Sequence, residues 1–281
     1  MNSSALLKKR FAWLPRLSLL LVAIAVTAGI THTRTLAREV NSCGLRLGQE
    51  EAQVGQALSG HLDILSWNMQ KASNAGWAED LASMASDVHL AFLQEASVQA
   101  DIPGKLDERD IYQAFTQGYS TESLHTGVMT LSSHSPSLSC NFSSMEPWLG
   151  TPKTATVTEH PLLDSDERLL AINLHAVNFT FGIEDLEKQL RPLAGLLARH
   201  NGPAILAGDF NTWSEDRQAL VDRVLARHGL AAVEFQDDQR TTFFGRPLDH
   251  IYVRGLSVEH TEVIPVESSD HNALRARLVI E

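Results

Sequence analysis

The sequence predicts an α/β domain of layered sheets and helices, and three observations carry that prediction. Apolar runs short enough for strands alternate with stretches of helical spacing. The alternation persists from about residue 61 to the C-terminus. The chain, 281 residues and 43% hydrophobic, can bury a full core. Strands and helices mixed through one long stretch argue one domain containing layers of each.

The chain opens differently. Lys8, Lys9, Arg10 and Arg16 precede an apolar run from Leu17 to Ile30, interrupted by Ser18 and Thr27, which is a basic n-region followed by an h-region. Residues 1–33 therefore read either as a signal peptide, with Val26 and Ala28 as small residues of a cut site, or as an N-terminal membrane anchor that also uses Phe11 to Leu14. Both place the remaining chain across the membrane: anchored to the inner membrane with the domain outside the cytoplasm, or periplasmic or secreted. Residues 34–60, rich in Gly, Gln, Glu and Ser, read as a linker into a domain spanning 61–281.

Within that domain "HLDILSWN" (61–68) is a strand, with Leu62 and Ile64 alternating against His61 and Asp63. Trp77, Leu81, Met84 and Val88 fall at helical spacing, and "VHLAFLQE" follows as a short buried strand. "GVMTLS" and "TATVTEH" are further strands, with "SSHSPSLS" as a loop between them. "RLLAINLHAV" is a strand before the helical stripe Ile183, Leu186, Leu190, Leu193 and Leu197, inside which Pro192 predicts a kink. "PAILAGDFN" is the next strand. Ser214 then caps a helix that turns Leu220, Val221, Val224 and Leu225 inward and stops at Gly229. "LDHIYVRG" and "ALRARLVI" close the chain as strands.

Charge limits the partners. Setting aside the six cations and one acid of residues 1–40 leaves 17 cations against 33 acids, a net of −16. Tight non-specific binding to duplex DNA through a broad basic face is disfavoured, although an acidic domain can still take a phosphate at a local metal site. Cys43 and Cys140 are too few for a disulfide framework but could pair in an oxidising compartment.

The informative residues are polar and sit at strand ends: Asn68, Glu95, His175, Asp209, Asn211, Asp249, Asp270 and His271. Each alone has a bland explanation. Asp209 and Asn211 could form an Asx turn, His175 could be a core histidine, and Ser268, Ser269, Asp270 and Asn272 could be turn residues. Their joint occurrence is not explained that way. Glu95, Asp209 and the amide oxygens of Asn68 and Asn211 are hard ligands suited to Mg²⁺, and a histidine held by a carboxylate can take a proton from an attacking water. No H-E-x-x-H or Cys/His spacing points to zinc. The set thus points to metal-assisted phosphoester hydrolysis.

The ordered motifs "WN" (67–68), "LQE" (93–95), "NLH" (173–175), "GDFN" (208–211), "LDHIYV" (248–253) and "SDHNAL" (269–274) resemble those of the endonuclease/exonuclease/phosphatase superfamily. "HAVNFTFG", "DDQRTTFFGRPLD" and "SDHNAL" are most similar to its YafD-like bacterial group. The resemblance implies a four-layer sandwich of two packed mixed β-sheets flanked by helices, with the site at one sheet edge. It implies Glu95 as principal metal carboxylate with Asn68 beside it, and Asp209 and Asn211 touching metal, water and phosphate. His271 becomes the base or proton carrier oriented by Asp249, and His175 a phosphoryl ligand. Asp270 becomes a second metal ligand or a brace. Mg²⁺, with Mn²⁺ as substitute, is the implied cofactor.

Two departures bear on substrate. Abasic-site nucleases of this superfamily commonly carry an acid two positions after the first Asn, where this chain has Gln70, and no dense Arg/Lys insertion tracks a duplex. Lys153, Arg246 and the aromatics Trp148, Trp213, Phe243 and Phe244 remain as candidates to read what surrounds the phosphate, with packing the expected role of the two Phe. The expected function is a divalent-metal-dependent phosphodiesterase, nuclease or phosphatase, acting as a monomer on nucleic acid, a phospholipid headgroup or a small phosphate ester. The alternative is a non-catalytic binding or scaffolding protein that keeps the fold, which loss of Glu95, Asp209 or His271 would signal. All three are present.

Overall fold

The computed structural model describes residues 42–49, 57–106, 111–147 and 149–281. Among these no helix is long and apolar enough to cross a membrane. The expected inner-membrane anchor, and with it the placement of the domain outside the cytoplasm, is corrected to unsupported, because residues 1–33, which prompted it, lie outside the described residues.

In chain order the elements are α1 (42–46), β1 (His61–Asn68), α2 (Trp77–Met84), β2 (Leu90–Ser97), β3 (Tyr112–Ser120), β4 (His125–Ser132), β5 (Leu138–Met145), β6 (Pro152–Pro161) and β7 (Arg168–His175). There follow α3 (Glu184–Leu197), β8 (Ala204–Asp209), α4 (Glu215–Ala226), β9 (Ala231–Ala232), β10 (Thr242–Phe243), β11 (Arg246–Pro247), β12 (Asp249–Arg254), β13 (Leu256–Ile264) and β14 (Ala273–Ile280). Two six-stranded sheets result, ordered β13-β14-β1-β2-β4-β3 and β5-β6-β7-β8-β12-β9, with β10 and β11 as a separate hairpin.

Strand periodicity sorts the apolar side chains into three layers. Leu62 and Ile64 of β1, Phe92 of β2, Ile205 and Ala207 of β8 and Ile251 of β12 fill the space between the sheets. Leu65 and Trp67 of β1 point the other way, onto Leu81 and Met84 of α2. Leu206 of β8 and Phe210 just beyond it pack with Leu186, Leu190, Leu220 and Leu225 of α3 and α4. Helix, sheet, sheet and helices thus form the four layers expected, and burying each such Leu, Ile or Phe contributes roughly 1.5–3 kcal/mol.

Each sheet contains one parallel pair, β1 with β2 and β7 with β8, and all other pairings are antiparallel. A parallel pair needs a crossover, here through α2 and α3. Their C-terminal ends carry Asn68, Glu95, His175 and Asp209. α3 runs as one helix with Pro192 inside it. Cys43 of α1 is disulfide-bonded to Cys140 on β5, and Leu58 bridges Leu162, so parts of the expected linker pack on the domain.

Candidate active site

Three strand-end devices turn the polar residues into one cluster. Alternation alone would send Gln94 and Glu95 to opposite faces. β2 instead carries a register shift against β4 between Leu93 and Ala96, with Glu95 in the left-handed region at φ 50°. Such a bulge re-aims a side chain. Gln94 goes between the sheets, where its amide donates to Asn173 of β7 at 2.8 Å, while Glu95 reaches within 3.9 Å of His175 Nε2.

On β8, Gly208 lies against β7 so closely that a Cβ would sit 2.0 Å from the Leu174 carbonyl oxygen. Only glycine permits that approach. Its φ of 143° also favours glycine, and from there Asp209 and Phe210 diverge, one to the site and the other to the core. The Asn211 backbone N–H donates to Asp209 Oδ1 at 2.9 Å, and Asn211 has φ 51°. The Asx turn and the site arrangement are therefore one structure. Across the sheet Asp249 of β12 is the register partner of Asp209, and His175 of β7 is its partner on the other side.

The third device carries His271 to this edge. Trp67 Nε1 donates to the His271 carbonyl at 3.0 Å. Ser269 Oγ donates to the Asn68 carbonyl at 2.6 Å and accepts from the His271 N–H at 3.1 Å. His271 Nδ1 meets Asp249 Oδ2 at 2.6 Å, joining an imidazole held at the edge of the first sheet to a carboxylate of the second. The other Asp249 oxygen is buried without a hydrogen-bond partner.

The electrostatics separate the two histidines. Burial opposes charging His271, but Asp249 in contact, with Asp209 and Asp270 beyond it, outweighs burial and raises the imidazole to about 10. Burial holds His175 well below the ordinary imidazole range, and Lys153, His271 and Lys71 push the same way. Lys153 Nζ lies 2.6 Å from His175 Nε2. An ammonium offers donors only, so it donates and Nε2 is the unprotonated nitrogen. Burial and the Asp249 charge together lift Asp209 to about 6.

The expected ligand set comes together in part. Glu95 Oε1 and Asp209 Oδ2 approach the same His175 Nε2, at 3.9 and 3.4 Å. Asn68, however, turns its Nδ2 onto Asp209 Oδ2 at 3.1 Å while its Oδ1 accepts from the Gln70 N–H. Asn211 donates its amide to the Ala176 carbonyl. Asp270 is exposed. Among the described residues no three His, Cys, Asp or Glu side chains converge as a metal site. The two carboxylates of Glu95 and Asp209 are still the donor chemistry of a hard cation such as Mg²⁺. Lys71 Nζ, 3.4 Å from Glu95 Oε2, supplies the countercharge in this arrangement.

Of the two cations expected to contact substrate, Lys153 lines a groove of about 570 Å³ shared with Lys71, Glu95, Glu146, His175 and Phe179. Arg246 does not: it pairs with Glu215 at 3.4 Å. The packing expected of Phe243 and Phe244 is also corrected, because they tip the β10–β11 hairpin and stand 53% and 80% exposed. Trp148 lies outside the described residues.

Sequence reasoning missed Lys71, Glu146 and Arg217. Buried Glu146 accepts from the Asn178 and Phe179 N–H groups at 2.6 and 3.4 Å. Buried Arg217 donates to the Asn211 carbonyl, Thr180 Oγ1 and the Val177 carbonyl. A signal for Arg217 existed, since it lies four residues before Val221 on the apolar face of α4.

The profile of the Endonuclease/Exonuclease/phosphatase family matches residues 65–271. A UPF0294 protein of Vibrio vulnificus is 39% identical over 223 residues, covering 76% of each chain. UPF0294 is the YafD family. Among solved structures, a mannosyl-6-phosphatase of Bacteroides thetaiotaomicron aligns with TM-score 0.59 at 18% identity, covering 78% of this chain and all of that one. The human Nocturnin catalytic domain with bound sulfate aligns with TM-score 0.60 at 15% identity, covering 80% and 96%. The structural likenesses establish the fold.

Proposed function

Because the chain belongs to the endonuclease/exonuclease/phosphatase family, whose members are phosphoester hydrolases, we propose that it hydrolyses a phosphoester through the strand-end cluster with Mg²⁺, or Mn²⁺, as cofactor. One observation carries the reading. Both sheets deliver complementary groups to one edge: Asn68, Glu95 and His271 from the first, and His175, Asp209 and Asp249 from the second.

Glu95 and Asp209 would hold the cation, with Asn68 beside them. When bound, a divalent cation there neutralises phosphoryl charge and adds positive charge near His271, which lowers the pKa of that imidazole. Asp249 occupies Nδ1 of His271, so Nε2 is the nitrogen that exchanges a proton with water. A water oxygen adds to phosphorus as His271 takes its proton, the bond from phosphorus to the leaving oxygen breaks, and the proton is passed on to that oxygen. Burial, aided by Lys153, holds His175 neutral, and Lys153 with Lys71 brings positive charge to the groove where phosphoryl oxygens would lie. Gln70 in place of an acid, and the acidic balance of the domain, favour a substrate other than abasic duplex DNA.

The test is an assay of the full-length protein with bis(p-nitrophenyl) phosphate and p-nitrophenyl phosphate, with Mg²⁺ and then with chelator. Turnover of at least one ester, abolished by chelator and restored by Mg²⁺, is expected. Metal-independent turnover would falsify the reading, and the ratio of the two esters assigns diesterase or monoesterase.

A further inference from the structure

Beside the phosphate groove, Phe179, Phe181, Trp213, Phe243 and Phe244 line a second cleft of about 530 Å³. Phe181 is 81% exposed, Phe244 80%, Phe179 59% and Phe243 53%. Single exposed apolar residues need no explanation, but a contiguous aromatic cluster marks a binding surface. Turn chemistry does not explain it either. Phe244 and Gly245 both have positive φ, at 50° and 74°, in a two-residue hairpin turn where Asn or Gly is the ordinary first residue. A phenylalanine there costs backbone energy and recovers little of it by burial.

We infer that this cleft receives the hydrocarbon chain of an amphiphilic phosphoester whose phosphate lies in the neighbouring groove; the inference rests on the hydrolase reading above. Continuity is the first argument, because Phe179 lines both cleft and groove. Chemistry is the second. The Trp213 indole N–H donates to Asn178 Oδ1 at 3.1 Å, and Thr180 Oγ1 accepts from Arg217, so these polar atoms of the wall are engaged within the protein. A wall of that kind suits hydrocarbon better than the hydrogen-bonding edge of a base. Preorganisation is the third. Glu146 grips the backbone of Asn178 and Phe179 from one side, and Arg217 grips Val177 and Thr180 from the other. The rim is held open before ligand arrives, which lowers the cost of binding.

The experiment compares methyl, butyl and octyl p-nitrophenyl phosphates, below micelle-forming concentration, on the full-length protein and a Phe181→Ser/Phe244→Ser variant. Water adds to phosphorus in each case and p-nitrophenolate leaves, so only the chain differs. kcat/KM should rise roughly tenfold or more from methyl to octyl, since each buried methylene contributes favourably, and the octyl-to-methyl ratio should collapse in the variant. A flat series, or a ratio unchanged in the variant, overturns the inference. So does thymidine 5′-(p-nitrophenyl phosphate) outrunning the octyl ester in a Phe-dependent way, which would make the cleft a base-stacking platform. If no ester turns over, the hydrolase reading fails, and calorimetric titration of octylphosphonate against methylphosphonate judges the cleft alone. Tighter octylphosphonate binding, lost in the variant, sustains it; equal binding overturns it.

Discussion

The polar cluster and the aromatic cleft lie side by side and break opposite rules. In the first, carboxylates and imidazoles are buried: Asp209, Asp249, His175 and His271 are all at most 8% exposed. In the second, phenyl rings stand in solvent. Folding alone favours neither, since a buried charge costs desolvation and an exposed ring forgoes burial. Positions where sequence departs from what stability prefers are where function is expected. The difference lies in how each is held. The cluster is knitted by its own hydrogen bonds across both sheets, whereas the cleft is held from behind through Glu146 and Arg217.

The contrast can be broken from the polar side with the largest effect. Glu95→Ala or Asp209→Ala should cost roughly 10³-fold in kcat, the scale of losing electrostatic stabilisation in a preorganised site, while the octyl-to-methyl preference survives in the residual activity. Steady-state kinetics on the ester series reads both. Loss of chain preference along with rate would show that the two regions are not separable.

Arg217 reaches both regions. Arg217→Met leaves the acceptors at Asn211, Val177 and Thr180 unpaired and should destabilise the fold by about 3 kcal/mol in urea unfolding. Rate and chain preference should fall together. Unchanged stability would place the burden of holding the rim elsewhere.

A smaller effect sharpens the electrostatics of the cluster. Asp209 has its folded pKa raised from 3.8 to about 6, so stability present below the unfolded value is lost as pH rises through about 6, and above that the buried charge is a cost. A divalent cation offsets that cost only where Asp209 is ionised. Added Mg²⁺ should therefore raise Tm by a few degrees at pH 8 and by nothing resolvable at pH 5 in thermal unfolding. The His271 contribution runs over a different window: fully present below pH 6.5 and lost only as pH rises through about 10. Equal Mg²⁺ effects at both pH values would remove Asp209 from the cation site.

The smallest effect belongs to Arg246. Its exposed pair with Glu215 is worth at most about 1 kcal/mol, so Arg246→Ala should leave denaturation midpoint and ester kinetics close to wild type.

How much could be read from the sequence divides along physical lines. Central strands were legible: β1 coincides with "HLDILSWN", and β7, β8, β12 and β14 fall within a residue or two of their expected bounds. Apart from the separate β10–β11 hairpin, the unexpected strands β3, β5, β9 and β13 are the edges of the two sheets. An edge strand is only partly covered, and β13, with four successive exposed residues after Leu256, has no apolar alternation to detect. At the candidate site, residue types at strand ends were legible. Their aim was not, because Glu95 depends on a bulge. Lys71 arrives through three successive non-glycine residues, Gln70, Lys71 and Ala72, with positive φ, which no propensity anticipates. The two Phe of "TTFFG" misled for the converse reason: apolar residues are ordinarily assigned to packing, and these stand outside it.

If the two sheet edges act as one hydrolytic unit, the His271–Asp249 contact is where they join. A double-mutant cycle on bis(p-nitrophenyl) phosphate hydrolysis, with His271→Ala, Asp249→Asn and the pair, tests it most directly. Groups that act as a unit are not additive, so the double variant should lose no more rate than His271→Ala alone, with each loss roughly 10²–10⁴-fold. Losses that multiply, or wild-type rates in either single variant, would contradict it.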